Sequence, residues 1–291
     1  MVAARRAKPG ARPKLLAVDL DGTLLDPRGQ PHAADARALR ALVHSGVAVS
    51  IITGRLYSGT RASAEAVGIK APVACVDGSH VVDASNGVTL LHYGMRGMRA
   101  LALRDCLVRN GAATFLFARD IIVHDDAGTE FLNYVSTWSM EVRRCDSVAD
   151  HTLWRDDDGV TAVVAVGSQA QVRAAADEIE AGLSDAAQVA MFPIRRLPGS
   201  WGLVVRATGG SKGSALRWLA QHHGCELEET VCVGDWLNDI PMLELAGRAY
   251  AMGQAPDEVR RVATDILAET CELGGGIARV VREAFGVDDQ A

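Results

Sequence analysis

The sequence has no Cys-x-x-Cys pair, no apolar stretch approaching the roughly 18 residues of a membrane span and no excess of positive charge. Each absence removes a class of protein. The six cysteines (Cys75, Cys106, Cys145, Cys225, Cys232 and Cys271) are scattered, which excludes a disulfide framework or zinc ribbon and fits reduced, packed thiols in the cytoplasm. A net charge of −6 over 291 residues argues against a protein that tracks nucleic-acid phosphates, since those are usually basic. Neither a nucleic acid nor a membrane is expected as a partner. There is no GxxxxGK[ST] and no GxGxxG, so phosphate-loop and dinucleotide-binding readings lack support. Internal repeats and low-complexity blocks are also missing. Positive charge collects only at the start, in Arg5, Arg6, Lys8, Arg12 and Lys14 with no acid between them. That stretch lacks the apolar region of a secretory signal, and residues 1–13 are expected to form a disordered basic tail.

What remains is an ordinary globular composition, 48% hydrophobic and 23% charged, long enough for one large domain or two smaller ones. Leu15–Val18 (LLAV) reads as a short buried strand that ends in Asp19 and Asp21. Residues two apart on a strand face the same way, so these carboxylates should lie close together. Two such anions cost free energy unless a cation or a shared proton relieves them. Asp21-Gly22 is also a good turn pair, and this stretch alone does not choose between turn and site.

Ala33–Ser45 has helical spacing and stops at Gly46, and Val47–Ile52 is a second β-branched run that ends at Thr53-Gly54-Arg55. A helix to about Val67 and a third strand, Pro72–Val76, follow. Strand and helix in alternation predict parallel pairing with right-handed crossovers. The pattern then changes. Val81–Asp83 and Val88–Tyr93 predict a hairpin, Met98–Asn110 a helix, Thr114–Ala118 and Ile121–His124 two strands. Val160–Val166, Gln169–Leu183 and Val189–Ile194 predict strand, helix and strand, whereas Glu130–Asp158 gives no clear periodicity. Trp201–Arg206, the helix Ser214–His223, Thr230–Gly234, Ala249–Met252 and helices from about Pro256 and over Ile277–Phe285 return to an α/β pattern.

The chemically interesting residues all fall where a core strand ends: Asp19, Asp21, Thr53, Lys212, Asp235, Asn238 and Asp239. Ligands bind outside the carboxyl ends of strands in open parallel sheets. Carboxylates, a hydroxyl and an ammonium converging there suit a phosphate together with Mg²⁺, which prefers carboxylate, water and phosphate oxygens. Singly, each has a plain structural alternative. Thr53 could cap a helix, and Lys212 could be a solvated lysine, although a cation at the positive end of a helix is disfavoured without an anion nearby.

DLDGT at Asp19–Thr23, TGR at Thr53–Arg55, SKG at Ser211–Gly213 and GDxxND at Gly234–Asp239, with AYAMGQA at Ala249–Ala255, resemble the haloacid dehalogenase (HAD) superfamily. The likeness is to its Cof-like, type IIB phosphatases with a C2 cap. The resemblance implies an α/β fold, a Rossmann-like doubly wound parallel sheet forming the HAD core over 14–83 and 195–291, with an inserted α+β cap domain at 84–194 that closes over the substrate. It also implies an Mg²⁺-dependent phosphatase acting on a small phosphorylated metabolite through an aspartyl-phosphate, the protein being a monomer or weak homo-oligomer. Sugar phosphates are expected first, and FMN or pyridoxal phosphate next.

Carried over by position, Asp19 would be the nucleophile and Asp21 the acid and base. Thr53, Gly54, Arg55, Lys212 and Asn238 would bind the phosphoryl group. The metal would be held by Asp19, the Asp21 carbonyl and Asp235, and Asp239 would orient Lys212 or the metal shell. Three departures stand out: Asp77 where the family commonly has Asn, Trp236 inside GDxxND, and Gln254 for Asn in the tail motif. Leaving-group selection is expected from among His124, Trp138, Arg143, Arg144 and Trp154.

Three rivals carry weight. A phosphomutase could use the same Asp19 chemistry, and a degenerate HAD scaffold could bind without catalysis. Gly209–Gly213 matches the GxSxG of serine hydrolases, but no histidine follows Asp235, so the required order of triad residues fails.

Overall fold

The computed structural model describes residues 12–194 and 197–287, and its contacts divide the chain into two compact units. Most of the basic tail lies outside the described residues. The first unit takes the chain up to Gly54, Thr60–Leu90 and everything from Ser211; the second takes Arg55–Gly59 and Leu91–Gly210.

In the first unit five parallel strands lie in the order Asp265–Ile266, Arg248–Ala251, Thr230–Gly234, Leu15–Val18, Ala48–Ile51. Leu15–Val18 is central, paired on both sides, and all four of its residues are buried. That is why it carries an unbroken apolar run instead of an alternating one. Parallel pairing aligns the strand ends, so Asp19, Thr53 and Asp235 emerge along the same sheet edge. Helix Ala33–His44 buries Ala36, Ala38, Leu39 and Leu42. It also buries Asp35, whose carboxylate accepts the backbone N–H groups of Gly275 and Ala278 at 2.9 and 2.8 Å and so caps the helix that begins at Gly276.

Pro72–Cys75 departs from simple continuation of the parallel sheet. It meets its neighbour through a single parallel bridge, Ile52 to Ala74, then pairs antiparallel with His80–Asp83. The chain has turned back at once through Val76–Gly78. The helix expected from Pro256 ends at Val262, and the last helix closes as a π-helical turn over Val281–Phe285.

The second unit is a six-stranded, largely antiparallel sheet ordered Ala187–Pro193, Trp201–Ala207, Ala162–Gly167, Ala113–Ala118, Ile121–His124, Val142–Arg144. Helices Gly97–Asn110 and Gln169–Leu183 cover it. Leu103 and Leu107 from one, and Val172 and Ile179 from the other, share a buried cluster with Leu116, Val163 and Leu203. Each such side chain contributes about 1.5–3 kcal/mol by its burial.

Trp201–Ala207 corrects the sequence reading, which gave it to the core. It pairs with Ala187–Pro193 on one side and Ala162–Gly167 on the other, because strands adjacent in sequence tend to be neighbours in space. Glu130–Asp158 holds only short elements, namely 3-10 turns, one helical turn at Leu132–Val135 and the three-residue strand Val142–Arg144. None is long enough to show a period. Among the described residues no helix is long and apolar enough to cross a membrane.

Candidate active site

Asp19 follows the buried central strand and is itself only 5% exposed. Its partner is Lys212, the first residue of helix Lys212–His222. Ser211 starts that helix by a reciprocal cap, its hydroxyl taking the Ser214 N–H at 3.0 Å while Ser214 Oγ takes the Ser211 N–H at 2.8 Å. Ser211 is thereby occupied as a helix cap, which agrees with setting the GxSxG reading aside.

The Lys212 ammonium donates to Asp19 Oδ1 at 2.5 Å and to Asp239 Oδ1 at 2.6 Å. An ammonium buried at the positive end of a helix is unfavourable on both counts, and these two carboxylates offset it. Asp239 is fixed in turn. Its Oδ2 accepts the backbone N–H groups of Asp235 and Trp236 at 2.8 and 2.9 Å. Asp235, at the end of Thr230–Gly234, receives the Thr23 hydroxyl on Oδ1 at 3.2 Å and the Gln254 amide on Oδ2 at 3.4 Å. Gln254 also donates to the Gly22 carbonyl at 2.5 Å. Gly22 is a position where glycine is required. Its φ is +82°, and a Cβ there would stand 2.5 Å from Asp235 Oδ2.

Asp19, Asp235 and Asp239 each offer a carboxylate oxygen within 4.8 Å of the others, and all three are buried. One ammonium faces three carboxylates, so two negative charges are left unbalanced in a poorly solvated place. Burial, then the charges of Asp239 and Asp235, push the Asp19 carboxyl well above the usual range, against the pull of Lys212. Burial and Asp239 push Asp235 up to about 7. Burial alone would depress Lys212, but Asp19 and Asp239 hold its ammonium above the ordinary lysine value. The donor set is hard oxygen and its missing charge is twofold, which suits a divalent cation of the Mg²⁺ type.

This sets a sign for the pH dependence of stability. A carboxyl whose folded value rises from 3.8 to about 7 favours folding most below 3.8 and loses that contribution as pH climbs through about 7. The cation-free protein is therefore expected to lose melting temperature between about pH 5 and pH 8. Added Mg²⁺ is expected to bind the deprotonated cluster and restore several degrees, more at the higher pH. Thermal scans with chelator and with Mg²⁺ across that range check it. An Mg²⁺ gain that shrinks as pH rises contradicts the charge deficit.

The other anticipated residues divide between the two units. Asp21 is exposed, two residues past Asp19, and its carboxylate is outside the three-carboxylate cluster. Thr53 is buried, its N–H bonded to the Ala74 carbonyl at 2.9 Å and its carbonyl accepting the Asp77 N–H at 2.8 Å. Asn238 is half-buried and donates to Asp77 Oδ1 at 2.9 Å. Gly54 ends the first segment of the first unit, and Arg55 falls with the second, its guanidinium donating to the Gly59 carbonyl at 3.3 Å.

Among the suggested selectivity residues, Trp154 is a core residue with its indole N–H on the Val148 carbonyl at 2.7 Å. His124 is buried, its Nδ1 2.8 Å from the Asp125 carbonyl. Neither presents a side chain to solvent. Trp138 is half-buried with its ring edge-on to Phe117 and Tyr134, and Arg143 and Arg144 are paired with Glu141 and Asp126. Sequence reasoning missed the parts played by Thr23, Asp77 and Gln254, which hold Asp235 and Asn238. Only their places in or beside the motifs pointed to them.

A parallel α/β core that gathers buried carboxylates and one lysine at its strand ends defines a hydrolytic enzyme of the haloacid dehalogenase type. The chain belongs to the haloacid dehalogenase-like hydrolase family, whose model matches residues 16–281. It is similar to Phosphatase YwpJ of Bacillus subtilis (strain 168), 27% identical over 286 residues that cover 90% of this chain and 96% of the relative. Pyridoxal phosphate phosphatase YbhA of Escherichia coli (strain K12) is 25% identical over 266 residues, covering 88% and 93%. A crystal structure of a haloacid dehalogenase-like hydrolase from Bacteroides thetaiotaomicron superposes with a TM-score of 0.80 at 20% identity, covering 93% of this chain and 99% of that one. At that identity the likeness is one of fold.

Proposed function

We propose that this hydrolase is a divalent-cation-dependent phosphatase that releases phosphate from a small phosphorylated metabolite through an aspartyl-phosphate on Asp19. The observation that carries the reading is the buried Asp19–Lys212–Asp239 chain with Asp235 beside it. Asp19 Oδ1 is held by Lys212, and among the described residues Oδ2 makes no hydrogen bond, which leaves it for attack on phosphorus. The new Asp19–phosphorus bond forms as the bond from phosphorus to the leaving oxygen breaks, and Asp21 supplies a proton to that oxygen. Asp21 then takes a proton from water as the water attacks phosphorus, which frees orthophosphate and restores Asp19. Thr53, Gly54, Lys212 and Asn238 bind the phosphoryl oxygens, and Asp239 keeps the ammonium in place. The second unit is the inserted cap. Asp19, Asp235 and the Asp21 carbonyl would hold Mg²⁺, which neutralises charge on the transferring group.

The test is phosphate release from p-nitrophenyl phosphate. Release should require Mg²⁺ and stop with chelator; activity indifferent to chelator would refute the reading. With a metabolite panel headed by sugar phosphates and pyridoxal phosphate, Asp21→Asn should lower turnover by about a hundredfold or more, the usual worth of general acid–base help. Its thermal stability and Mg²⁺ affinity should stay near wild type. Unchanged turnover would remove Asp21 from the proton-transfer role. Recovery of the phosphoryl group on another position of the same sugar, with no free phosphate, would identify a mutase instead.

A further inference from the structure

Gln254 stands at the surface, yet both its amide nitrogen and its amide oxygen are engaged. The nitrogen donates one N–H to the Gly22 carbonyl at 2.5 Å and the other to Asp235 Oδ2 at 3.4 Å. The oxygen accepts the Cys271 N–H at 3.3 Å. The amide faces only one way here, because its nitrogen meets two acceptors and its oxygen meets a donor. Holding a long exposed side chain at three points costs rotamer freedom, which packing does not call for at a surface position.

The backbone beneath it is fixed as tightly. The Met252 N–H donates to the Gly234 carbonyl at 3.0 Å, and the Gly253 N–H to the Glu269 carbonyl at 2.8 Å. Gly253 lies so close to its neighbouring segment that a Cβ would stand 2.8 Å from the Ala268 carbonyl. Gln254 is therefore anchored against the end of Thr230–Gly234, the strand that delivers Asp235.

This one amide joins two of the segments that the proposed function assigns to the cation. One is Asp235, and the other carries the Asp21 carbonyl, one residue before Gly22. The length of Gln254 thus sets the gap between them. Asp235 is held a second time at Oδ1 by the Thr23 hydroxyl at 3.2 Å. The terminal torsion of an aspartate is ordinarily broad, but a donor on each oxygen, from two different segments, keeps this carboxylate from turning. Mg²⁺ is small and demands near-octahedral geometry, whereas Ca²⁺ is larger, takes more oxygens and grips some carboxylates by both. Selectivity between them follows cavity size and the freedom of the ligands. A fixed gap and a carboxylate that cannot turn suit the smaller ion.

We propose that Gln254 is a positioning residue that sets the size and stiffness of the cation site, biasing it toward a small divalent ion of the Mg²⁺ type over a larger one such as Ca²⁺. The inference rests on the reading of Asp19, Asp235 and the Asp21 carbonyl as the cation's ligands.

The test is calorimetric titration of the cation-free, full-length protein with Mg²⁺ and, separately, with Ca²⁺, at fixed pH and ionic strength. Gln254→Met keeps the stem and removes the amide, and Gln254→Ala removes both. Each should weaken Mg²⁺ binding by about tenfold, the low end for losing a partner of a ligating carboxylate, and Ca²⁺ binding by much less. The ratio of the two dissociation constants should thus move several-fold toward Ca²⁺ in both variants. A role confined to stability would lower the melting temperature of the cation-free protein and leave that ratio at its wild-type value. A ratio unmoved in either variant, or moved toward Mg²⁺, overturns the role of Gln254 and leaves the cation site standing. Wild type that takes up no Mg²⁺ overturns the cation reading itself, and this inference with it.

Discussion

Asp19→Asn is expected to lower phosphate release from p-nitrophenyl phosphate by at least about a thousandfold, because it removes the proposed attacking oxygen and leaves binding and charge neutralisation behind. The same change should not unfold the protein. Asp19 is a carboxyl that burial and two neighbouring carboxylates push well above its usual range, so a neutral amide of the same shape relieves repulsion in the cation-free state. Lys212 keeps a partner, since Asp239 Oδ1 remains 2.6 Å away. The melting temperature without Mg²⁺ should therefore equal or exceed that of wild type, and the gain on adding Mg²⁺ should fall because a ligand has been lost. Activity and stability move in different directions. A merely structural aspartate would give losses in both, and substantial residual activity would place the nucleophile elsewhere.

Much of the core was legible in sequence for a physical reason. Leu15–Val18, Val47–Ile52 and Thr230–Gly234 lie in a sheet buried on both faces, so they are written as short apolar runs, and their ends coincide with the motif residues. Helix Gln169–Leu183 was equally plain, carrying its own Ser168–Gln171 capping box and an apolar stripe. What was hidden depends on partners far away in the chain. Trp201–Ala207 looks like any core strand until its register with Ala187–Pro193 is known. Asp35 looks like a surface helix residue, although its carboxylate caps a helix 240 residues later. At the site, the motifs supplied Asp19, Lys212, Asp235 and Asp239, but not the order of their bonds. That Asp239 is held by two amides and passes its second oxygen to Lys212 is a property of the turn at Asp235–Asp239. Asp77 and Gln254 stood out only as departures, and their contacts with Asn238 and Asp235 needed coordinates.

Lys212→Met should be the most destabilising single change at this site, and its pH profile should identify the cause. The ammonium is 1% exposed and bonded to two carboxylates. Removing one partner of a buried ion pair costs about 3–5 kcal/mol, because the remaining charge is left without compensation. A chain of this size loses roughly 2–4 °C of melting temperature per kcal/mol, so a fall of about ten degrees at neutral pH is expected. The deficit should narrow as pH is lowered, since protonating Asp19 and Asp235, both already pushed upward, removes the repulsion that lysine had balanced. Adding Asp239→Asn to Lys212→Met should return part of the lost stability for the same reason. Phosphatase activity should be lost in the single variant and stay lost in the double, because neutralising an acid does not replace the cation that the proposed mechanism sets against the phosphoryl oxygens. A deficit that is flat with pH, together with no recovery in the double variant, would mean that the loss comes from packing around the new side chain and not from the missing charge. The charge balance on which the nucleophile depends would then have to be sought elsewhere.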